Sequence, residues 1–135
     1  MEKALAYDLH ACTDVTGFGI LGHLIEMAHG CNSRVIVSYG KLPFYPAALD
    51  MYKKGETTGS NKANRKMVAK HRLEFNTSLS RYEEELLYDP QTSGGLLLSL
   101  PHEQADALIR RMIKDNIPAM RIGEITSGPV GITVI

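Results

Sequence analysis

The sequence has few of the features that mark secreted, membrane-bound or disulfide-stabilised proteins. Cys12 and Cys31 are the only two cysteines in 135 residues, and they form neither a Cys-x-x-Cys pair nor a disulfide framework. This scarcity favours a reducing, cytoplasmic compartment. The longest apolar runs, such as residues 95–100, fall well short of the roughly 18–20 residues that a membrane span needs. The N-terminus also lacks the apolar core and the cleavage site of a secretory signal.

An excess of either charge is also missing. The 15 Lys and Arg residues balance the 15 Asp and Glu residues, and this balance predicts neither a nucleic-acid partner nor an acidic membrane surface. A local basic run contains no aromatic residue for base stacking, so it favours a solvated helix face over a nucleic-acid patch. Its members are Lys62, Arg65, Lys66, Lys70 and Arg72.

The chain contains enough apolar residues for one folded domain over residues 1–135. Hydrophobic residues make up 44% of the sequence, which is typical of a chain with a buried core. Helices are predicted over residues 16–30, 47–54, 61–72, 82–88 and 102–115. The helix over 16–30 is expected to be capped by Thr16 and to stop at Gly30. Strands are predicted over residues 10–16, 34–39, 95–100, 119–126 and 130–135, the third of them buried.

This alternation of elements predicts an α+β layer fold. Because helices interleave with about four strands, the expected architecture is a mixed β-sheet of about four strands covered by helices.

Residues 10–23 concentrate groups that suit a metal ion and a phosphate. The carboxylate of Asp14 and the hydroxyls of Thr13 and Thr16 stand beside Gly17 and Gly19, where the first long helix begins. Unpaired N–H groups at a helix N-terminus favour phosphate, and glycine lets the backbone approach a ligand. A carboxylate oxygen is the ligand that Mg²⁺ prefers. A capped helix after a tight glycine turn explains the same residues without a ligand, and on these residues alone it is the simpler interpretation.

Two other interpretations of this segment have less support. Residues 17–22 match G-x-G-x-x-G, but residues 37–40 lack the acidic residue that a dinucleotide site needs about 20 positions later. His10, Cys12 and Asp14 alternate, so they would share one face of a strand, where they could bind Zn²⁺. The sequence shows no fourth ligand, and ordinary packing or hydrogen bonding explains these three residues more simply.

A second segment, residues 89–98, has the sequence Asp-Pro-Gln-Thr-Ser-Gly-Gly-Leu-Leu-Leu. It leads from a proline turn through two hydroxyls and two glycines into a predicted strand. Paired glycines indicate either the close approach of a ligand or a bend that the fold requires. Without further information the bend is the simpler interpretation.

Taken together, the two segments resemble the C-terminal domain of the selenophosphate synthetases. The matching residues are Thr-Asp-Val-Thr-Gly-Phe-Gly at 13–19, which continues to residue 28, and the segment at 89–97; their order and spacing match the family as well. One loop departs from the pattern. Many relatives have Pro-Gly-Gly-Thr followed by Asn, whereas this chain has Thr-Thr-Gly-Ser at 57–60, followed by Asn61 and Asn64. No function is therefore assigned to this loop.

The resemblance implies a two-domain enzyme of the aminoimidazole ribonucleotide synthetase superfamily, whose members use ATP. The intact enzyme is expected to convert ATP, selenide and water into selenophosphate, AMP and phosphate. This chain would be the C-terminal domain only, with its own N-terminal domain as main partner. That absent domain would form the homodimer, most of the ATP site and most of the Mg²⁺ site, and would carry the nucleophilic Cys or selenocysteine with its Lys. The chain alone is then expected to contain no catalytic residue and to be inactive.

The resemblance also assigns roles to particular residues. Asp14 matches the family's aspartate that reaches the Mg²⁺–phosphate cluster. The expected wall of the phosphate site consists of Thr13, Thr16, Gly17 and Gly19. The residues that would face the same cleft are Thr92, Ser93, Gly94 and Gly95. Two alternatives stay open: a stand-alone binding or interaction domain without catalysis, and the same domain of another ATP-using member of the superfamily.

Overall fold

The computed structural model of the chain describes residues 2–135. Over this range the chain forms five α-helices: α1 (Gly19–Gly30), α2 (Ala48–Lys53), α3 (Asn61–Val68), α4 (Arg81–Tyr88) and α5 (His102–Lys114). The same range forms six strands: β1 (Ala11–Asp14), β2 (Arg34–Val37), β3 (Leu73–Phe75), β4 (Leu96–Ser99), β5 (Gly123–Thr126) and β6 (Gly131–Val134). No helix within residues 2–135 has the length and apolar character needed to cross a membrane.

The strands are divided between two sheets. The larger sheet has the order β3-β6-β2-β5, in which β3, β6 and β2 are parallel and β5 is antiparallel to β2. This arrangement confirms the predicted mixed sheet of four strands with helices against it. Strands β1 and β4 form a separate antiparallel pair.

The main hydrophobic core lies between the larger sheet and helices α1, α3 and α4. Burial alternates along β2, where Val35 and Val37 point into the core, as the two-residue period of a strand requires. Ile132 and Val134 of β6 extend the same apolar layer. Helix α1 covers it with side chains at helical spacing, namely Leu21, Leu24, Ile25 and Ala28. Complete burial of one such large side chain contributes about 1.5–3 kcal/mol, so this layer supplies much of the stability.

A second, smaller core forms where α5 packs beside the β1–β4 pair. Leu108 and Met112 of α5 are buried there with Ala4, and Leu98 of β4 packs against them. The neighbouring Leu97 points the opposite way into the main core, because successive side chains of a strand alternate. Strand β4 therefore joins the two cores. Not every large apolar side chain of α5 reaches this core, since Ile113 is 57% exposed.

Several predicted boundaries are wrong for identifiable reasons. The helix predicted over residues 61–72 ends at Val68, and Leu73–Phe75 form β3, which was not predicted. Three residues with a central glutamate carry too little periodicity to predict a strand. Its parallel pairing with β6 defines β3, and Glu74 forms an ion pair with Arg34 of β2 across 3.1 Å. Strands β5 and β6 are consecutive in the sequence, yet β2 lies between them.

The ends of α1 and the burial of β4 also differ from expectation. Thr16 does not cap α1, because the helix begins at Gly19 and its N-cap position is Phe18. The helix ends at Gly30 as predicted, but the left-handed residue that follows is Asn32, with a φ of 50°. The strand predicted to be buried over residues 95–100 is exposed at Leu96 and fully buried only at Leu97.

Helix α4 begins with a reciprocal capping box. The Ser80 hydroxyl accepts a hydrogen bond from the Glu83 N–H at 3.3 Å, and the Glu83 carboxylate accepts one from the Ser80 N–H at 2.7 Å. These two bonds satisfy donors that a helix N-terminus otherwise leaves unpaired, and they hold the pKa of Glu83 below its usual value.

Substitution Ser80→Ala is expected to lower the free energy of unfolding by about 1 kcal/mol, because it removes one half of the capping box. Urea denaturation followed by circular dichroism measures the change. Ser78→Ala, at an exposed loop position two residues earlier, is the matched control and should change stability by less than about 0.5 kcal/mol. Equal stability of the two variants would contradict the stabilising role of the box.

Candidate functional site

The two sequence segments that resemble the selenophosphate synthetases meet at the β1–β4 pair. Asp14, the last residue of β1, lies directly opposite Leu96. Beyond the strands the pairing continues, since the Val15 N–H donates to the Gly95 carbonyl at 3.0 Å and the Gln91 N–H donates to the Thr16 carbonyl at 3.0 Å. Residues 13–19 and 89–96 therefore form one continuous surface.

Two glycines make this close approach sterically possible. At Gly94 a Cβ atom would collide with the Val15 carbonyl oxygen. At Gly19, where φ is +68°, a Cβ atom would lie 2.7 Å from the Tyr88 carbonyl carbon. Both glycines are thus required by the contact between backbones. The bend inferred for the paired glycines fits Gly94, whereas the space around Gly95 is open.

The predicted site residues lie together but differ in exposure. Asp14 is exposed, and the side chains of Thr13 and Thr16 are half-buried. Gly17 is exposed, as are Thr92, Ser93 and Gly95 in the other segment, while Gly19 is buried and Gly94 is half-buried. Two large apolar side chains in these segments are also exposed, Leu96 at 49% and Phe18 at 49%. The surface therefore combines a carboxylate, hydroxyls, open glycines and uncovered apolar groups.

Asp14 is an exposed carboxylate that does not belong to a complete metal site within residues 2–135. Among residues 2–135, no three His, Cys, Asp or Glu side chains converge to hold a metal ion. His10, Cys12 and Asp14 therefore do not form a Zn²⁺ site. His10 lies before β1, and its Nε2 atom is 3.9 Å from the Asp8 carboxylate. Mg²⁺ is usually held by one or two carboxylates together with phosphates and waters. A single exposed carboxylate suits that chemistry only if the other ligands come from elsewhere.

The glycine pattern at 17–22 is not a dinucleotide site. Strand β1, before the pattern, pairs antiparallel with β4, and β2, after α1, lies in the other sheet. The βαβ unit that such a site requires is thus not formed.

Asn64 of α3 forms hydrogen bonds with the first segment and with the residue before the second segment. Its buried side-chain amide donates to the Gly17 carbonyl at 2.8 Å and to the Tyr88 carbonyl at 2.9 Å. One amide group thereby satisfies two backbone acceptors, one within the first segment and one at the last residue of α4, directly before the second segment.

Asn61, one turn earlier on α3, anchors a second polar cluster. Its amide donates to the Tyr52 hydroxyl at 3.0 Å and to the Glu85 carboxylate at 2.9 Å. The Tyr52 hydroxyl donates to the Asp89 carboxylate at 2.6 Å. Burial and this bond to Asp89 raise the pKa of Tyr52 far above its usual value, so the phenol keeps its proton. The cluster holds residue 89, where the second segment begins, against α2 and α3.

Arg65 shows that the basic run is not uniformly a solvated face. Its guanidinium lies 4.3 Å from the centre of the Tyr88 ring and contacts Glu84 and Glu85 at 3.2 and 2.8 Å. Its neighbours Lys62 and Lys66 are exposed, as predicted. The sequence offered only a weak signal for these supporting residues, a pair of asparagines at helical spacing after an irregular loop.

Substitution Gly94→Ala is expected to lower the free energy of unfolding by about 1–3 kcal/mol, because the added methyl group overlaps the Val15 carbonyl. Gly95→Ala is the matched control, since nothing lies near the position of its Cβ atom; it should change stability by less than about 0.5 kcal/mol. Denaturant unfolding of both variants measures the difference. A tolerated Gly94→Ala together with a damaging Gly95→Ala would contradict the described packing.

Comparison with known proteins identifies the chain's relatives. Residues 1–135 match the family described as AIR synthase related protein, C-terminal domain. The curated protein "Selenide, water dikinase" of Pelobacter propionicus is 39% identical over 127 residues, which are 92% of this chain and 36% of that protein. The protein of the same name from Clostridium botulinum (strain Eklund 17B) is 39% identical over 121 residues, 90% of this chain and 34% of that protein. The chain thus spans about a third of the length of these relatives.

A solved structure supports the fold alone. The thiamine-monophosphate kinase from Stenotrophomonas maltophilia K279a superposes with a TM-score of 0.61 at 22% sequence identity, covering 97% of this chain and 32% of that chain. Because the family model matches the chain over residues 1–135, this chain belongs to the AIR synthase related protein family and matches its C-terminal domain.

Proposed function

We propose that this chain is the C-terminal domain of a selenide, water dikinase, to which it contributes Asp14 as one Mg²⁺ ligand together with part of the active-site wall. The intact enzyme would convert ATP, selenide and water into selenophosphate, AMP and phosphate. The observation that carries the proposal is the convergence of residues 13–19 and 89–96 on one surface beside the exposed Asp14. The curated relatives' names favour this dikinase over other members of the superfamily.

The chemistry of phosphate transfer suits such a limited contribution. Cleavage of ATP depends mainly on positioning and on neutralising negative charge, and bound Mg²⁺ supplies that neutralisation. Asp14 would hold the ion from one side, since its carboxylate is exposed at the end of β1. Thr13, Thr16, Gly17 and Gly19 would shape the wall around the phosphates. The residues that would face the same cleft are Thr92, Ser93, Gly94 and Gly95.

The other ligands and the nucleophile would come from an N-terminal domain that pairs with this chain. Three observations support such a partner. The chain spans about a third of its curated relatives, no three metal-ligating side chains converge among residues 2–135, and Leu96 and Phe18 in the two segments are each 49% exposed. That domain would carry most of the ATP site and form the homodimer. The enzyme would be cytoplasmic, since the scarcity of cysteines in this chain favours a reducing compartment.

The purified chain is expected to produce no AMP from ATP and selenide in the presence of Mg²⁺, because one carboxylate cannot assemble the metal–phosphate site. Phosphorus NMR of the reaction mixture measures AMP, phosphate and selenophosphate together. The intact enzyme under the same conditions is the positive control. Selenide-dependent AMP formation by the chain alone would contradict its proposed dependence on a second domain.

Within the intact enzyme, Asp14→Asn is expected to lower kcat by about 100-fold or more, since it removes a preorganised charge from the metal site. It should leave the thermal unfolding temperature nearly unchanged, because the side chain is exposed. Asp106→Asn, at an exposed position on α5, is the matched control with normal turnover. Wild-type turnover of Asp14→Asn would remove this residue from the metal site.

A further inference from the structure

A buried histidine stands directly beneath the segment that carries Asp14. His23, in the second turn of α1, has a side chain that is only 6% exposed. Its Nε2 atom lies 2.9 Å from the backbone nitrogen of Thr16 and accepts a hydrogen bond from that N–H. Because a backbone N–H can only donate, Nε2 must carry the lone pair, and the proton of the neutral ring therefore sits on Nδ1.

With this hydrogen bond, both backbone polar groups of Thr16 have partners. The Thr16 carbonyl already accepts from the Gly19 N–H at 3.1 Å and from the Gln91 N–H at 3.0 Å. Because His23 accepts from the Thr16 N–H, the backbone of Thr16 is held by hydrogen bonds to α1, to its own turn and to the second segment. Thr16 lies two residues after Asp14, so its orientation limits where the end of β1 can place the carboxylate.

The other ring nitrogen shows that packing alone does not explain a histidine at this position. Among residues 2–135, the Nδ1 atom of His23 has no hydrogen-bond partner, and its closest charged neighbour is the Glu26 carboxylate at 3.4 Å. His23 and Glu26 line a cavity of about 210 Å³, together with Cys12, Thr13 and Met27. An unsatisfied buried donor costs stability. A methionine or leucine would fill the space without that cost, so the acceptor at Nε2 is what this position requires.

We propose that His23 is a positioning residue for Asp14: as an acceptor for the Thr16 N–H, it holds the turn that presents the carboxylate to the metal–phosphate site. This inference rests on the proposed dikinase function. It deepens that function by adding a residue that touches neither metal nor substrate and acts through the backbone of residues 14–17.

The test compares two side chains of equal length at position 23. In His23→Gln the side-chain oxygen can still accept from the Thr16 N–H, whereas His23→Met fills a similar volume without a strong acceptor. His102→Met, at an exposed position where α5 begins, is the control for replacing a histidine with methionine. Circular dichroism establishes that each variant is folded before it is compared.

The first measurement uses the full chain labelled with ¹⁵N and needs no enzymatic activity. The His23 ring is expected as the Nδ1–H tautomer, and the Thr16 amide should exchange slowly with solvent. In His23→Met that exchange should accelerate about tenfold, while His23→Gln keeps it slow. The other tautomer in the wild type, or equal Thr16 exchange in both variants, would overturn the proposal.

The second measurement uses the intact selenide, water dikinase that contains this chain. His23→Met should lower kcat by about 100-fold, as expected for a misplaced catalytic group, with the KM for ATP changed less than about threefold. His23→Gln should restore kcat to within about threefold of the wild type, and His102→Met should match the wild type. Wild-type kcat in His23→Met would overturn the positioning role alone. A wild-type enzyme that makes no AMP from ATP and selenide would instead overturn the proposed function, and the tautomer and exchange results would still decide the hydrogen bond.

Discussion

The antiparallel pairing of β1 with β4 is the contact on which the rest of the candidate site depends. It brings together two segments that lie far apart in the sequence and aligns Asp14 with Leu96. The pairing continues past the strand ends because Gly94 has no side chain to obstruct the Val15 carbonyl. Since β4 also contributes Leu97 to the main core and Leu98 to the smaller one, packing on both faces holds the pair in register.

Buried amides and an imidazole, in addition to the apolar contacts of β4, connect the two segments to the helices. Asn64 bonds the first segment and Tyr88, the residue before the second segment. Asn61 links Tyr52 and Glu85 beside Asp89. Such groups are costly to bury unless they find partners, so a satisfied network specifies one arrangement of its neighbours. His23 extends this support to the Thr16 peptide. The exposed carboxylate of Asp14 thus lies next to a segment that largely buried polar side chains hold by hydrogen bonds.

Burial differs sharply between the core and the end of β1. The helices and the larger sheet enclose a continuous core, yet the end of β1 leaves Asp14 exposed, with Leu96 and Phe18 uncovered in the same two segments. The core that stabilises the domain and the surface proposed to take part in catalysis therefore lie in different regions. Strand β4 contributes Leu97 to the first and Leu96 to the second.

The sequence by itself determined the strongly periodic elements α1 and α5, the β-rich strand β2, the α+β class and the family, because periodicity, composition and contiguous motifs are readable without the tertiary contacts. Tertiary structure alone decided that β2 separates β5 from β6, that Leu73–Phe75 form a strand, and that Thr16 is held by His23 instead of capping α1. It also decided the role of Asn64, whose two acceptors lie 47 and 24 residues away in the sequence. These features arise from contacts between distant residues, and no local pattern specifies which backbone group a buried side chain will meet.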